Sequence, residues 1–68
     1  MNASTDTMIQ MKAATLGLIK RIEREGMTDK PASEVYTTLA DYMRETYREL
    51  TNEEIDHCVY YAMQACLF

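Results

Sequence analysis

The side chains best suited to nucleophilic or metal chemistry in this sequence are one imidazole and two thiols: His57, Cys58 and Cys66. A cysteine becomes a strong nucleophile when a histidine ring lies within hydrogen-bond reach of its sulfur. His57 and Cys58 are neighbours in sequence, however, and on a helix neighbours point about 100° apart. Cys58 and Cys66 lie eight positions apart, roughly 12 Å along a helix at 1.5 Å per residue. A disulfide tolerates no more than about 7 Å between Cα atoms, so they are expected as separate free thiols. Buried free cysteine belongs to a reducing compartment, and a cytoplasmic location is expected. There is no Cys-x-x-Cys and no second histidine to complete a zinc set. No catalytic, cofactor-binding or metal-ligating residue is expected, and the protein is expected not to be an enzyme.

All three of these residues fall within Leu50 to Phe68, LTNEEIDHCVYYAMQACLF. Thr51-Asn52-Glu53-Glu54 fits a capping box. The Thr51 hydroxyl can accept the Glu54 N–H while the Glu54 carboxylate reaches back to the Thr51 N–H. Leu50 and Ile55 fit the hydrophobic staple around that cap. Glu53, Glu54 and Asp56 place negative charge at the positive end of the helix dipole. A helix over 52–68 follows, with an inner stripe of Ile55, Cys58, Val59, Ala62, Ala65 and Cys66. Tyr60, Met63 and Leu67 form a second apolar strip. Between Cys58 and Phe68 the only polar side chain, tyrosine hydroxyls aside, is Gln64. A helix apolar on so many sides must be covered on more than one face.

Two further helices must precede it. Met8, Met11, Thr15, Leu18, Ile19 and Ile22 share one face of a helix over 7–25. Ser4, Thr5 or Asp6 is available to cap it, and residues 1–6 are expected to fray. Gly26 fits a left-handed stop, with Met27 folding back toward Ile22. Pro31 suits the first turn of a helix over 31–50, where its missing N–H is no loss. There Val35, Tyr36, Leu39, Tyr42, Met43, Thr46, Tyr47 and Leu50 oppose Glu34, Thr37, Asp41, Arg44, Glu45 and Arg48. The Tyr36–Met43–Tyr47 edge suits an adaptable binding surface, though packing into the core is the commoner use. On the far side of the first helix, Gly17 and Ala13 make a patch of small residues. A glycine there costs about 1 kcal/mol against alanine, so it either admits a close partner or is a tolerated surface residue. Lys20, Arg21 and Arg24 share that side, where a solvated face is the default and contact with acids or phosphates the alternative.

The whole is expected to be all-α: a helical hairpin plus a third helix, one domain spanning 1–68. A chain of 68 residues buries only about 60% of its unfolded surface and commonly needs a partner for stability. A homodimer is therefore expected, with Tyr60, Met63, Leu67 and Phe68 at the contact and the Ala13–Gly17 side as the next candidate. The C-terminal apolar run, about eleven residues, is too short for a bilayer, and no basic, apolar leader pattern opens the chain. The net charge of −4 disfavours a general nucleic-acid binder. A helix-turn-helix reader fits poorly, because the corner at Leu50-Thr51 lacks the usual glycine and the next helix opens with acids. No cation follows Arg48, whereas Lys12, Lys20, Arg21 and Arg24 sit on the first helix. That asymmetry suits head-to-tail complementarity or a basic partner.

Thr15-Leu16-Gly17-x-Ile19, the closing Gly26, then Val35, Leu39, Ala40 and Met43 resemble the YmgB/AriR family of small enterobacterial regulators. The similarity spans roughly Ala13 to Met63. It departs from the family pattern in a first helix one residue shorter between Gly17 and Gly26, and in Arg44 where the family tends to carry an acid. The resemblance implies an all-helical dimer that adjusts signalling or transcription, in biofilm and acid-stress responses, by binding a regulatory protein partner. Two other readings fit the same residues: a phage- or plasmid-encoded inhibitor of a host protein, or a DNA-associated regulatory dimer. No cofactor and no membrane contact are expected.

Overall fold

The computed structural model describes residues 3–68, and among them it holds three α-helices joined by short connections, with no strand. Helix α1 runs Ala3–Glu25, α2 runs Ala32–Thr46 and α3 runs Asn52–Leu67. The all-α, three-helix expectation is met. Helix α1 begins at Ala3 rather than at Thr7, so residues 3–6, expected outside it, are helical; Met1 and Asn2 lie outside the described residues. Ser4, Thr5 and Asp6 therefore sit inside the first turns and none of them is the cap.

Each boundary has a local cause. Gly26 takes φ 66°, ψ 37°, a left-handed conformation that costs glycine nothing and other residues a Cβ clash. The chain then makes a single 3₁₀ turn, Met27–Asp29, which carries Met27 into the core. Pro31 stands just before α2 rather than within its first turn. Its carbonyl accepts the Glu34 and Val35 N–H groups at 3.0 and 3.1 Å. Helix α2 stops at Thr46, four residues before the expected end. Tyr47 leaves helical geometry at φ −118°, ψ 71°, and the turn that follows swings Leu50 back against the core.

At the start of α3 the capping box is complete. The Thr51 N–H donates to Glu54 Oε1 at 2.8 Å and the Glu54 N–H donates to Thr51 Oγ1 at 3.2 Å. Leu50 and Ile55, the two sides of the staple, are both buried. Helix α3 packs on α1 and on α2, whereas α1 and α2 touch each other little. The core is accordingly built around α3: Ile55, Cys58, Val59, Ala62 and Met63 meet Ala14, Leu18 and Ile22 of α1 and Val35, Leu39, Ala40 and Met43 of α2. Ala14 and Ala40, small residues outside the expected stripes, allow the helices to approach closely. Met8, expected in the α1 stripe, is instead 68% exposed.

The relative direction of α1 and α3 follows from their thiol contacts. Cys58 Sγ donates to the Met11 carbonyl at 3.6 Å and Cys66 Sγ to the Ile19 carbonyl at 3.9 Å. Both pairs are separated by 47 residues in sequence, so the two helices run parallel. Helix α2 must then carry the chain back between them. The corner after α2 lies beside the start of α1, where Gln10 Nε2 donates to Glu49 Oε1 at 3.1 Å. No described helix is long and apolar enough to cross a membrane.

Because the α3 cap satisfies two N–H groups at once, Thr51→Ala is expected to cost about 1 kcal/mol. A lowered urea midpoint with an unchanged slope checks this. A midpoint equal to that of the parent would mean that the box contributes nothing.

Candidate interaction surfaces

The chemistry suggested by the thiols can be judged from their surroundings. Cys58 is buried and Cys66 half-buried, and both are free. The Met11 carbonyl that accepts from Cys58 also accepts the Thr15 hydroxyl at 2.8 Å. Burial pushes the Cys58 thiol up; the Thr15 hydroxyl opposes that shift and the Glu54 charge adds to it. Cys66 is also pushed up, by burial first and by Glu23 second. Thiols held in the protonated form are poor nucleophiles. His57 does not reach Cys58. It lies exposed on the other side of α3, with its ring 4.6 Å from that of Tyr61. Among the described residues no three His, Cys, Asp or Glu side chains gather to hold a metal.

What α3 presents to solvent is aromatic. His57, Tyr60, Tyr61, Gln64 and Phe68 lie on the side opposite Ile55, Val59 and Ala62, as successive 100° steps require. Tyr60 is 52%, Tyr61 53% and Phe68 78% exposed. Tyr60 and Tyr61 meet edge to face at 6.5 Å, and Gln64 Nε2 donates to the Tyr60 hydroxyl at 2.9 Å. The expected contact strip needs one correction. Met63 is 5% exposed and belongs to the core, while Leu67 is half-buried against it. On the helical wheel Met63 falls about 100° from the middle of the α3–α1 seam, and α2 covers that side. Ala65, placed in the inner stripe, is exposed instead. Tyr61 was not among the expected contact residues, yet His57, Tyr61 and Phe68 share one line at spacings of four and seven, a signal open to the helical wheel.

A second apolar face lies on α1, turned away from the core. Ala13 and Gly17 are exposed there, as expected, and a Cβ placed at Gly17 would meet no atom within 4 Å. Ile9 at 63% and Leu16 at 58% exposure flank them, residues that the small-residue reading passed over. The cation cluster expected on this side is divided. Lys20 and Arg24 are exposed, but Arg21 is half-buried, with its guanidinium 4.6 Å from the centre of the Tyr42 ring and its Nε 3.1 Å from Glu25.

Two further ion pairs are local. Lys30–Glu34 and Arg44–Asp41 lie within one turn of each other at 3.5 and 3.1 Å, and exposed pairs of this kind contribute only a few tenths of a kcal/mol. Tyr36, expected on an adaptable edge with Met43 and Tyr47, joins the core's margin, and Met43 is fully buried. The Tyr36 hydroxyl donates to Asp56 Oδ1 at 2.5 Å, a bond that pushes the phenol up. A shallow open depression at the α2–α3 corner, lined in part by Arg44, Tyr47, Arg48 and Ile55, gathers no set of reactive groups. Compared with protein-family models, curated proteins and solved structures, the chain matches none.

The thiol environments set an expected order of reactivity. In the unfolded chain a thiol ionises near 8.5, whereas in the folded chain both hold their protons to higher pH. The stability tied to them is present below about pH 8.5 and falls as pH rises beyond it. At pH 8, an aromatic disulfide reagent should label Cys66 first and Cys58 only at the rate of structural opening, with both equal in urea. Equal rates in the folded protein would contradict the burial of Cys58.

Proposed function

We propose that this is a small regulatory protein without catalysis of its own, which acts by binding another protein, in the manner of the YmgB/AriR connectors that it resembles. The observation that carries the reading is the aromatic outer face of α3. Tyrosine and other aromatic side chains dominate the energetics of protein contacts because they bury much area at little entropic cost. Three large exposed aromatics within three turns of one helix form a patch that a monomer in water has no use for. Glu53 and Asp56 lie at the head of that face, and no cation follows Arg48. The partner that fits is an apolar groove bordered by basic side chains, with cation–π contact to Tyr60 or Tyr61 available.

The three-helix architecture supports the connector reading over an enzyme, since it provides two apolar outer faces and only protonated, covered thiols. On this reading the protein works where thiols stay reduced, in the cytoplasm. The test is paired affinity capture from a bacterial lysate, using the parent chain and a Tyr60→Lys/Phe68→Lys variant shown to be equally helical. A regulatory protein retained by the parent and at least tenfold depleted with the variant is the expected outcome. A partner set identical for both baits would remove the α3 face from the function. Sequence-dependent duplex DNA binding that persists at about 0.15 M salt, beyond simple phosphate attraction, would replace the reading with a DNA-associated one.

A further inference from the structure

We infer that the outer face of α1 is a docking site for a second copy of this chain, with the two α1 helices antiparallel and crossing at Ala13. Helix α1 is apolar on two opposite sides. One is buried through Ala14, Leu18 and Ile22, and the other leaves Ile9 and Leu16 more than half exposed around Ala13 and Gly17. A helix with two apolar sides is normally covered on both. At 100° per residue, Asp6, Ile9, Ala13, Leu16, Gly17 and Lys20 fall within about 100° of arc. The apolar residues are thus bracketed by an exposed acid at one end and an exposed cation at the other.

That bracketing identifies the occupant. Asp6 and Lys20 lie equal distances before and after Ala13, roughly 10 Å each way along the axis. In an antiparallel pair centred on Ala13, Asp6 of each copy comes level with Lys20 of the other. Ile9 of each comes level with Gly17 of the other and within one residue, about 1.5 Å, of Leu16, on the same side of the two-fold axis. A parallel pair would instead set Asp6 against Asp6 and Lys20 against Lys20, which is unfavourable. The two smallest side chains fall at and beside the crossing, where backbones approach most closely, and no atom of the chain itself occupies the space above Gly17. Lys12 lies at the edge, where both ammonium groups stay in water. The contact is isologous, so each apolar residue is covered twice by one arrangement.

One helix face is smaller than the roughly 800 Å² per partner of a standard interface. The dimer is therefore weak, with a Kd on the order of 10–100 µM. It is independent of the α3 face, so it can fail while the regulatory reading stands, and the reverse.

Sedimentation equilibrium of the full chain from 1 to about 500 µM, at low salt, tests the proposal. The parent should pass from monomer to dimer over this range. Ile9→Lys/Leu16→Lys, both exposed and so compatible with folding, should raise Kd at least tenfold with unchanged circular dichroism. Asp6→Lys and Lys20→Asp should each weaken the dimer severalfold, and the double exchange should restore it. A parent that stays monomeric throughout overturns the proposal. So does a dimer indifferent to Ile9→Lys/Leu16→Lys, and so does a double exchange that remains as weak as the single ones. Should Tyr60→Lys/Phe68→Lys dissociate the dimer while the α1 variants do not, the self-contact belongs to α3.

Discussion

The parallel register of α1 and α3 is the constraint on which the rest of the structure depends. Two helices that are first and last in the chain lie side by side and point the same way, held at a constant offset that the Cys58 and Cys66 contacts mark at two points eight residues apart. Parallel neighbours cannot be joined by a tight turn, so a complete antiparallel helix has to intervene. This is why α2 exists as a return element with abrupt stops at both ends. It is also why α3, with α1 on one side and α2 on the other, is apolar around so much of its circumference.

Small residues make that register attainable. Ala14 on α1 and Cys58 and Ala62 on α3 are almost wholly buried. A thiol in this position fills a methyl-sized space and still offers a weak proton to a carbonyl whose helical bond it does not disturb. The two cysteines are thus packing residues with a directional contact, and their raised ionisation follows from the same burial that makes them useful to the core.

Much of this was legible from residue order alone, and the reasons are local. The capping box at Thr51, the left-handed stop at Gly26 and the existence of three helices depend on chemistry within a few residues. What was not legible depends on neighbours far away in sequence. Met63 looked available for a partner because its side chain points off the α1–α3 seam, and only the position of α2 explains its burial. Helix α2 ended early because Leu50 is needed in the core beside Ile55, a tertiary demand that no propensity at Tyr47 announces. Ile9 and Leu16 were hidden by attention to the stripe that packs inward, although the helical wheel placed them together. Tyr61 was missed for the same reason.

The 47-residue separation across the main helix–helix seam also bears on how the chain acquires its structure. Most small helical bundles fold rapidly because their contacts join elements adjacent in sequence. Here α1 and α2, though consecutive, give each other little support, and the seam that secures α1 can form only after most of the chain has been drawn into a loop, whereas α2 meets α3 across a short corner. The entropy of that closure must be met before much of the apolar burial is gained. The folding nucleus is therefore expected to be the α2–α3 pair, whose contacts cross only a short corner. Helix α1 would then complete its docking late, on a surface that the other two have already made.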